Sequence, residues 1–456
     1  MLDIKSLGDL LQNVKQANVL LTVLSLGTLV LVLNKRKVKR MDEATINILT
    51  TPDVVPTNCL STNRQLSEAP ILNDEGACAE QLRSLVASKS LPYASLATNP
   101  ELLLALSKYT NIAGNSELYG ALWTRFTVQF NLFAGSIVAL GSDSQRETLY
   151  ATQASGALGC FAFTECGAGV LSGAVVETTA HYDAKKQKFV IHSPTESSKK
   201  KWISQGMFAE YAVICANLMV EDGNKNAGPH LFYARIQNRN SKTGMMTPMK
   251  GVELTSLNRK SALLGLDNAF ISFESFEIDH CALLDRFSSV DKLSGAYALH
   301  LPSGVTRMLD LLISRLLTGR ICLSESQINY ALCLFRRSYD FASHRELWRG
   351  KKPKGKLISE LPLMHAAFRD YSRTLKIVAS FIETARGKVA RCIRDDQFTH
   401  AVVEEACISK FVGTSFAVDA MSVLRKMLGK LYIVLNCFCW YEFYVVDIVP
   451  RIPSLV

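Results

Sequence analysis

With 456 residues and 50.4 kDa, the chain is long enough for about three domains, and 48 % hydrophobic with 20 % charged residues excludes a disordered or fibrous protein. Lysine plus arginine number 51 against 41 acids, a net charge of +10 that suits an anionic small ligand and is too weak to argue for nucleic acid unless the charge clusters. The 12 cysteines form no CxxC pair and no Cys/His cluster of zinc spacing, so reduced thiols and no metal site are expected.

In chain order, residues 1–40 stand apart as a hydrophobic anchor or targeting segment. From Val19 to Leu33 runs an uncharged apolar stretch, followed at once by KRKVKR, Lys35 to Arg40. Such a run is short for a bilayer span, which needs about 20 apolar residues. A single-pass anchor with its basic cluster in the cytosol and a soluble amphipathic start both remain open. Residues 41–75, with Pro52, Pro56 and Pro70, read as a linker.

Residues 76–155 carry helical spacing, with Leu82, Leu85 and Val86 on one face and a long apolar element over 121–141. Residues 156–290 change character to short β-rich runs, among them KFVIH (188–192), AEYAVICANLMV (209–220) and HLFYARIQ (230–237). AFISFESFEI (269–278) alternates as a strand would if one residue were bulged. No helix-length segment separates these strands, which predicts an antiparallel barrel or sandwich. Over 300–429 helices return: Leu309, Leu312, Leu316, Gly319 and Leu323, carried onward by Ile328, Leu332 and Phe335, mark one, Leu363, Ala367, Tyr371, Leu375, Val378 and Ile382 a second, and 400–428 a third. The predicted architecture is therefore α+β and multidomain: a helical domain, a β domain, then a helical bundle. Residues 430–456 form a divergent hydrophobic tail.

Three local signals bear on chemistry. In GCFAFTECGAG (159–169), Thr164 can bond the edge of a heterocycle, and Gly167 and Gly169 allow close backbone approach. In SSKKKWISQG (197–206), Trp202 followed by Ser204 suits packing against an aromatic ligand. In SRLLTGRIC (314–322), Arg315 and Arg320 lie on an otherwise core-forming helix, where an arginine pairs with an acid or a phosphate. Each is also compatible with an ordinary structural role.

Together, and in this order, these strings resemble the acyl-CoA oxidase branch of the acyl-CoA dehydrogenase flavoprotein superfamily. The matching segments are 128–142, 159–169, 175–202, 263–278, 283–291 and 314–322, colinear over roughly residues 90–428. The resemblance implies the same three-part fold, FAD, and a fatty acyl-CoA oxidised to trans-2-enoyl-CoA, with O2 as electron acceptor giving hydrogen peroxide. It further implies a homodimer and a peroxisomal setting, although no Ser-Lys-Leu ending occurs. Carried over by motif, Thr164 bonds the flavin ring and Trp202 and Ser204 flank it.

Departures accompany the match. Cys166 gives TECGAG a dehydrogenase-like spelling, which keeps open an acyl-CoA dehydrogenase that passes electrons to an electron-transfer flavoprotein. Residues 235–268 replace a more glycine-rich family segment, while Asp267 and Asn268 survive. After Gly429 no CGGxG turn and no Glu-Gly pair follow; six of the 19 residues from Leu431 to Val449 are aromatic. Glu442, followed by Phe443, is a poor candidate for the family's catalytic base. Glu165 is expected to hold a structural bond, and Glu404 and Glu405 have no family counterpart. A tail translated from a retained intron and a genuine hydrophobic tail both fit, and a chain that binds flavin or acyl-CoA silently at a membrane is the third functional reading.

Overall fold

A computed structural model describes residues 74–99, 102, 119–169, 175–221, 223, 225–258, 260, 263, 265–302, 305, 307–347, 355–395 and 399–428. The apolar run from Val19 to Leu33 and the tail with Glu442 lie outside the described residues. Helices α1 (Asp74–Ser88), α2 (Tyr93–Thr98), α3 (Tyr119–Thr127), α4 (Gly135–Leu140) and α5 (Asp143–Gln153) come first. The apolar stretch 121–141 is a continuous helical path, wound as a π-helix over Val128–Ala134 between α3 and α4. Phe130 and Phe133 of this wide turn are buried. The Gln145 side chain accepts from the Ser142 backbone at 3.0 Å and donates to the carbonyls of Cys281 and Leu283, so the cap of α5 also fastens it to the strands.

Among the described residues there are thirteen strands: β1 (Gly159–Ala162), β2 (Thr179–Asp183), β3 (Lys188–His192), β4 (Lys200–Ser204), β5 (Tyr211–Val220), β6 (Lys225–Arg235), β7 (Gln237–Arg239), β8 (Met246–Pro248), β9 (Val252–Ser256), β10 (Asn268–Phe273), β11 (Phe276–Asp279), β12 (Ser288–Val290) and β13 (Tyr297–Leu299). They do not close into the expected barrel, nor are they antiparallel throughout. β5 takes β6 antiparallel on one edge and, on the other, β1 and then β2 end to end, both parallel to it. β3 and β11 extend this six-stranded sheet, and its edge strands β6 and β11 do not pair, so it stays open. β4, β10 and β9 form a second sheet of three strands. Phe189, Ile214 and Phe232 from the first sheet and Ile203, Ile271 and Phe273 from the second share one apolar core.

The sequence 269–278 is not one bulged strand. β10 belongs to the small sheet and β11 to the large one, and the chain turns the corner at Glu274–Ser275, with Ser275 at φ +49°. Gly251 lies against this corner: a Cβ there would come 2.7 Å from the Glu274 carbonyl oxygen.

Helices α6 (Met308–His344), α7 (Pro362–Arg394) and α8 (His400–Leu428) follow, and contacts divide the chain into two compact units. One unit holds Phe335–Lys376 among the described residues. In it Phe335 meets Phe368 and Tyr371 at ring separations of 6.2 and 5.9 Å. In the other unit, Gly413 of α8 lies against Ser324 of α6 and Ile382 of α7, and Arg386–Glu325 and Lys388–Glu405 ion pairs at 2.9 and 2.7 Å flank that crossing. The predicted stripes are buried over much of their length and shift locally. On α6, Leu312, Ile328 and Phe335 are buried as predicted, while Leu317 and Ile321 are buried where Leu316 and Leu323 are only half-buried; on α7, Leu375, Val378 and Ile382 are buried as predicted, while Leu363 is exposed and Met364 and Phe368 are buried in its stead. The apolar pattern fits two adjacent faces, and packing selects one.

Candidate functional site

The site is built where the exit of β1 runs beside β4. Lys201 N donates to the Thr164 carbonyl and Cys166 N to the Lys199 carbonyl, each at 2.9 Å, with Glu165 bridged to Lys200 between them. Glu165 and Lys200 form an ion pair at 2.7 Å, both with essentially no exposed side-chain surface. Their remaining valences are filled. Lys200 donates to the Cys215 carbonyl at 2.6 Å, and Glu165 accepts from the backbone of Glu177 and Thr178 and from the Thr178 hydroxyl. A buried pair is retained without loss only when so satisfied. Glu165 is thus structural, and it fixes Thr164 against β4.

β4 carries Trp202 in an unusual way. Ala269 pairs with Ile203 and Ile271 with Lys200, so Phe270 alone opposes Lys201 and Trp202. The extra residue is absorbed by Trp202 at φ +61°, a conformation costing a bulky side chain about 1–2 kcal/mol. The bulge leaves the indole 53 % exposed, and the Lys201 ammonium stands 5.9 Å from its ring. Ser204 ends the strand, half-buried, opposite Asn268, whose Nδ2 donates to its Oγ at 3.1 Å.

Gln205, at φ +70° and buried, turns the chain away. Its amide donates to Gln129 Oε1 at 2.8 Å and to the Gly159 carbonyl at 2.7 Å. Gln129, in the π-helical turn, accepts from Gly159 N at 2.9 Å and donates to the Tyr93 hydroxyl at 2.6 Å. Three elements are thereby locked around the end of β4. Beside it, the buried Asp267 pairs with Arg125 at 2.7 Å and accepts from Met207 N at 2.8 Å. Burial raises the Cys166 thiol above its ordinary range, although Lys201 and Lys199 pull the other way.

Thr164, Trp202 and Ser204 are therefore brought to neighbouring positions on adjoining backbone. No side-chain acceptor or donor among the described residues engages the Thr164 hydroxyl, and none takes the Ser204 hydrogen. Two unspent hydroxyls beside an exposed indole suit a flat heterocycle with acceptors along its edge. Of the two glycines, Gly167 lies close to Ser197, where an added Cβ would come 3.0 Å from the serine Cβ, and Gly169 has φ +52°. Arg320 is half-buried with no ion pair among the described residues; the side chain of Arg315 lies outside them. Asn268, Gln205 and Gln129 were not singled out as site residues from sequence. Only the survival of Asp267 and Asn268 hinted at their use.

No family model matches the chain. It is 26 % identical over 372 residues to peroxisomal acyl-coenzyme A oxidase 2 of Arabidopsis thaliana, covering 77 % of this chain and 50 % of that one. It is 32 % identical over 171 residues to human peroxisomal acyl-coenzyme A oxidase 3, covering 37 % and 24 %. The chain thus spans half or less of the length of these relatives. In structure it is similar to an acyl-CoA oxidase-2 of Caenorhabditis elegans solved with FAD, ascaroside-CoA and ATP, with a TM-score of 0.57 at 18 % identity, covering 89 % of this chain and 63 % of that one. The fold is of the acyl-CoA dehydrogenase class. In sequence the chain is similar to acyl-CoA oxidases over part of their length.

Proposed function

We propose that the chain is the flavin-binding part of an acyl-CoA oxidase: it binds FAD beside β4 and a fatty acyl-CoA over it, for oxidation to a trans-2-enoyl-CoA with O2 as acceptor and peroxide as product. The observation that carries this reading is the strained bulge at Trp202, which holds an indole in solvent beside the Thr164 hydroxyl and the Ser204 hydroxyl, whose hydrogen no acceptor among the described residues takes. Strain is retained at a site when the surroundings enforce it, and it gathers where ligands bind. FAD, when bound, supplies the redox chemistry by accepting hydride. Thr164 and Ser204 offer hydrogen bonds to its edge, Trp202 covers its face, and the Glu165–Lys200 pair and the Gln129–Gln205 amides hold those three in place. The similarity to peroxisomal acyl-CoA oxidases supports the acyl-CoA substrate and the peroxisomal setting; a homodimer is proposed on the same resemblance.

A second reading is a chain that binds flavin and acyl-CoA without turnover. It is supported by Glu165, whose two oxygens are already committed to Lys200, Glu177 and Thr178. The purified 456-residue chain, mixed with FAD and passed through gel filtration, is expected to retain the visible flavin absorbance. A colourless protein would refute both readings. Formation of enoyl-CoA and peroxide from a series of acyl-CoA chain lengths separates the first from the second.

A further inference from the structure

We propose that Asn268 is a positioning residue that sets the direction of the Ser204 hydroxyl, so that Ser204 serves the bound heterocycle as a donor; this rests on the flavin reading above. A serine hydroxyl has one hydrogen and two lone pairs. Asn268 Nδ2, at 3.1 Å, donates to Ser204 Oγ and occupies a lone pair, so the hydrogen must leave in another direction. No acceptor among the described residues takes it, and Ser204 is half-buried at the end of the strand that carries Trp202. The hydroxyl is left as a donor toward whatever lies over β4.

Asn268 is itself held firmly. It is 6 % exposed and lies directly opposite Ser204 in the pairing of β10 with β4. Leu257 N donates to its carbonyl at 2.9 Å. Its neighbour Asp267 is immobilised by Arg125 and by Met207 N. The entry to β10 therefore cannot slide, and the amide presents its N–H to Ser204 in a fixed geometry. An aspartate at 268 would reverse the polarity: its carboxylate would accept the Ser204 hydrogen and consume the donor. An alanine would leave the hydroxyl free to rotate.

The test is a double-mutant cycle on the full chain, reading the FAD dissociation constant and the shape of the bound flavin's visible band. Ser204→Ala and Asn268→Asp are each expected to weaken FAD about fivefold, the worth of one neutral hydrogen bond, and to move the band in the same sense. The Ser204→Ala/Asn268→Asp double variant is expected to be no weaker than either alone. Two further losses multiplying in the double variant would show that Asn268 acts independently of Ser204 and overturn the inference. So would an Asn268→Asp variant with wild-type affinity and spectrum. Should Asn268→Asp lower the melting temperature enough to unfold the chain, Asn268→Ala, which adds no charge, decides by the same two readouts. Wild-type chain that takes up no FAD overturns the flavin reading and this inference with it, whereas flavin-loaded wild type with additive variants overturns this inference alone.

Discussion

Trp202 is the residue where folding and binding pull apart. A left-handed φ of +61° on a tryptophan opposes folding, and an indole 53 % exposed contributes little packing in return. Glycine adopts that conformation without strain but adds backbone entropy to the unfolded chain, a loss of similar size. Trp202→Gly is therefore expected to change stability by less than about 1 kcal/mol, against the 3–5 kcal/mol typical of removing a buried tryptophan. FAD affinity in the same variant is expected to fall by more than about tenfold, since an aromatic face contributes on the order of 1 kcal/mol or more beyond its buried area. Denaturant unfolding and FAD titration measure the two effects separately. A large loss of stability with unchanged flavin binding would assign Trp202 to the core instead. The sequence made Trp202 conspicuous, through its place among lysines before Ser204. It did not reveal the bulge, because the spare residue is defined only by the pairing of β4 with a strand some 65 residues later.

At the scale of elements, close approach governs. Gly159 opens β1 against the π-helical turn, where a Cβ would fall 2.3 Å from the ring of Phe133. Phe133 is buried and cannot yield, so Gly159→Ala is expected to cost about 1–3 kcal/mol by overpacking, read as a lower midpoint in denaturant with unchanged slope. A second element, β6, is tied to β13 through His230, whose ring nitrogens meet the Gly228 carbonyl at 2.9 Å and the Tyr297 hydroxyl at 3.1 Å. Burial lowers the His230 pKa below its ordinary 6.5, opposed by the bond to Gly228. The folded chain thus favours the neutral ring, and the unfolded chain takes up the proton first. Its contribution to stability is present above pH 6.5 and is lost as the pH falls below that value toward the folded pKa. Burial depresses His181 in the same direction, with His192 adding to it, so His230→Gln is expected to flatten, not abolish, the loss of stability with acid. An unchanged slope would place the acid sensitivity elsewhere. Helices before and after a β block were legible because period and composition shift there. The corner at Ser275 was not, since alternation continues on both sides of it and only the partners differ. The local shifts from Leu316 to Leu317 on α6 and from Leu363 to Met364 on α7 were likewise hidden, since the members of each pair are equally apolar and only packing decides which turns inward.

For the molecule as a whole, the question is whether binding is coupled to turnover. Removing the α-proton of an acyl thioester needs a carboxylate within hydrogen-bond reach of that carbon, and a well-placed general base contributes roughly 10²–10⁴-fold. Among the described carboxylates, Glu165 is committed to Lys200 and to the backbone of residues 177 and 178, Asp267 to Arg125 and Met207, and Glu405 to Lys388; Glu404 is exposed on α8. Beyond Glu405 the sequence contains one further glutamate, Glu442, outside the described residues. Flavin binding does not depend on the base, so the two properties are expected to separate. Saturating FAD should stabilise the 456-residue chain, by about 2.7 kcal/mol at a hundred times its dissociation constant, measured as a rise in melting temperature. Enoyl-CoA and peroxide should form only slowly from acyl-CoA in the same sample, and Glu442→Gln should leave that residual rate unchanged. Rapid turnover abolished by Glu442→Gln, with FAD stabilisation intact, would overturn this expectation and assign Glu442 as the base. Rapid turnover that survives the substitution would point to one of the carboxylates of the β domain, and Glu196, just before β4, and Glu253, on β9 of the same sheet, would be the next to replace.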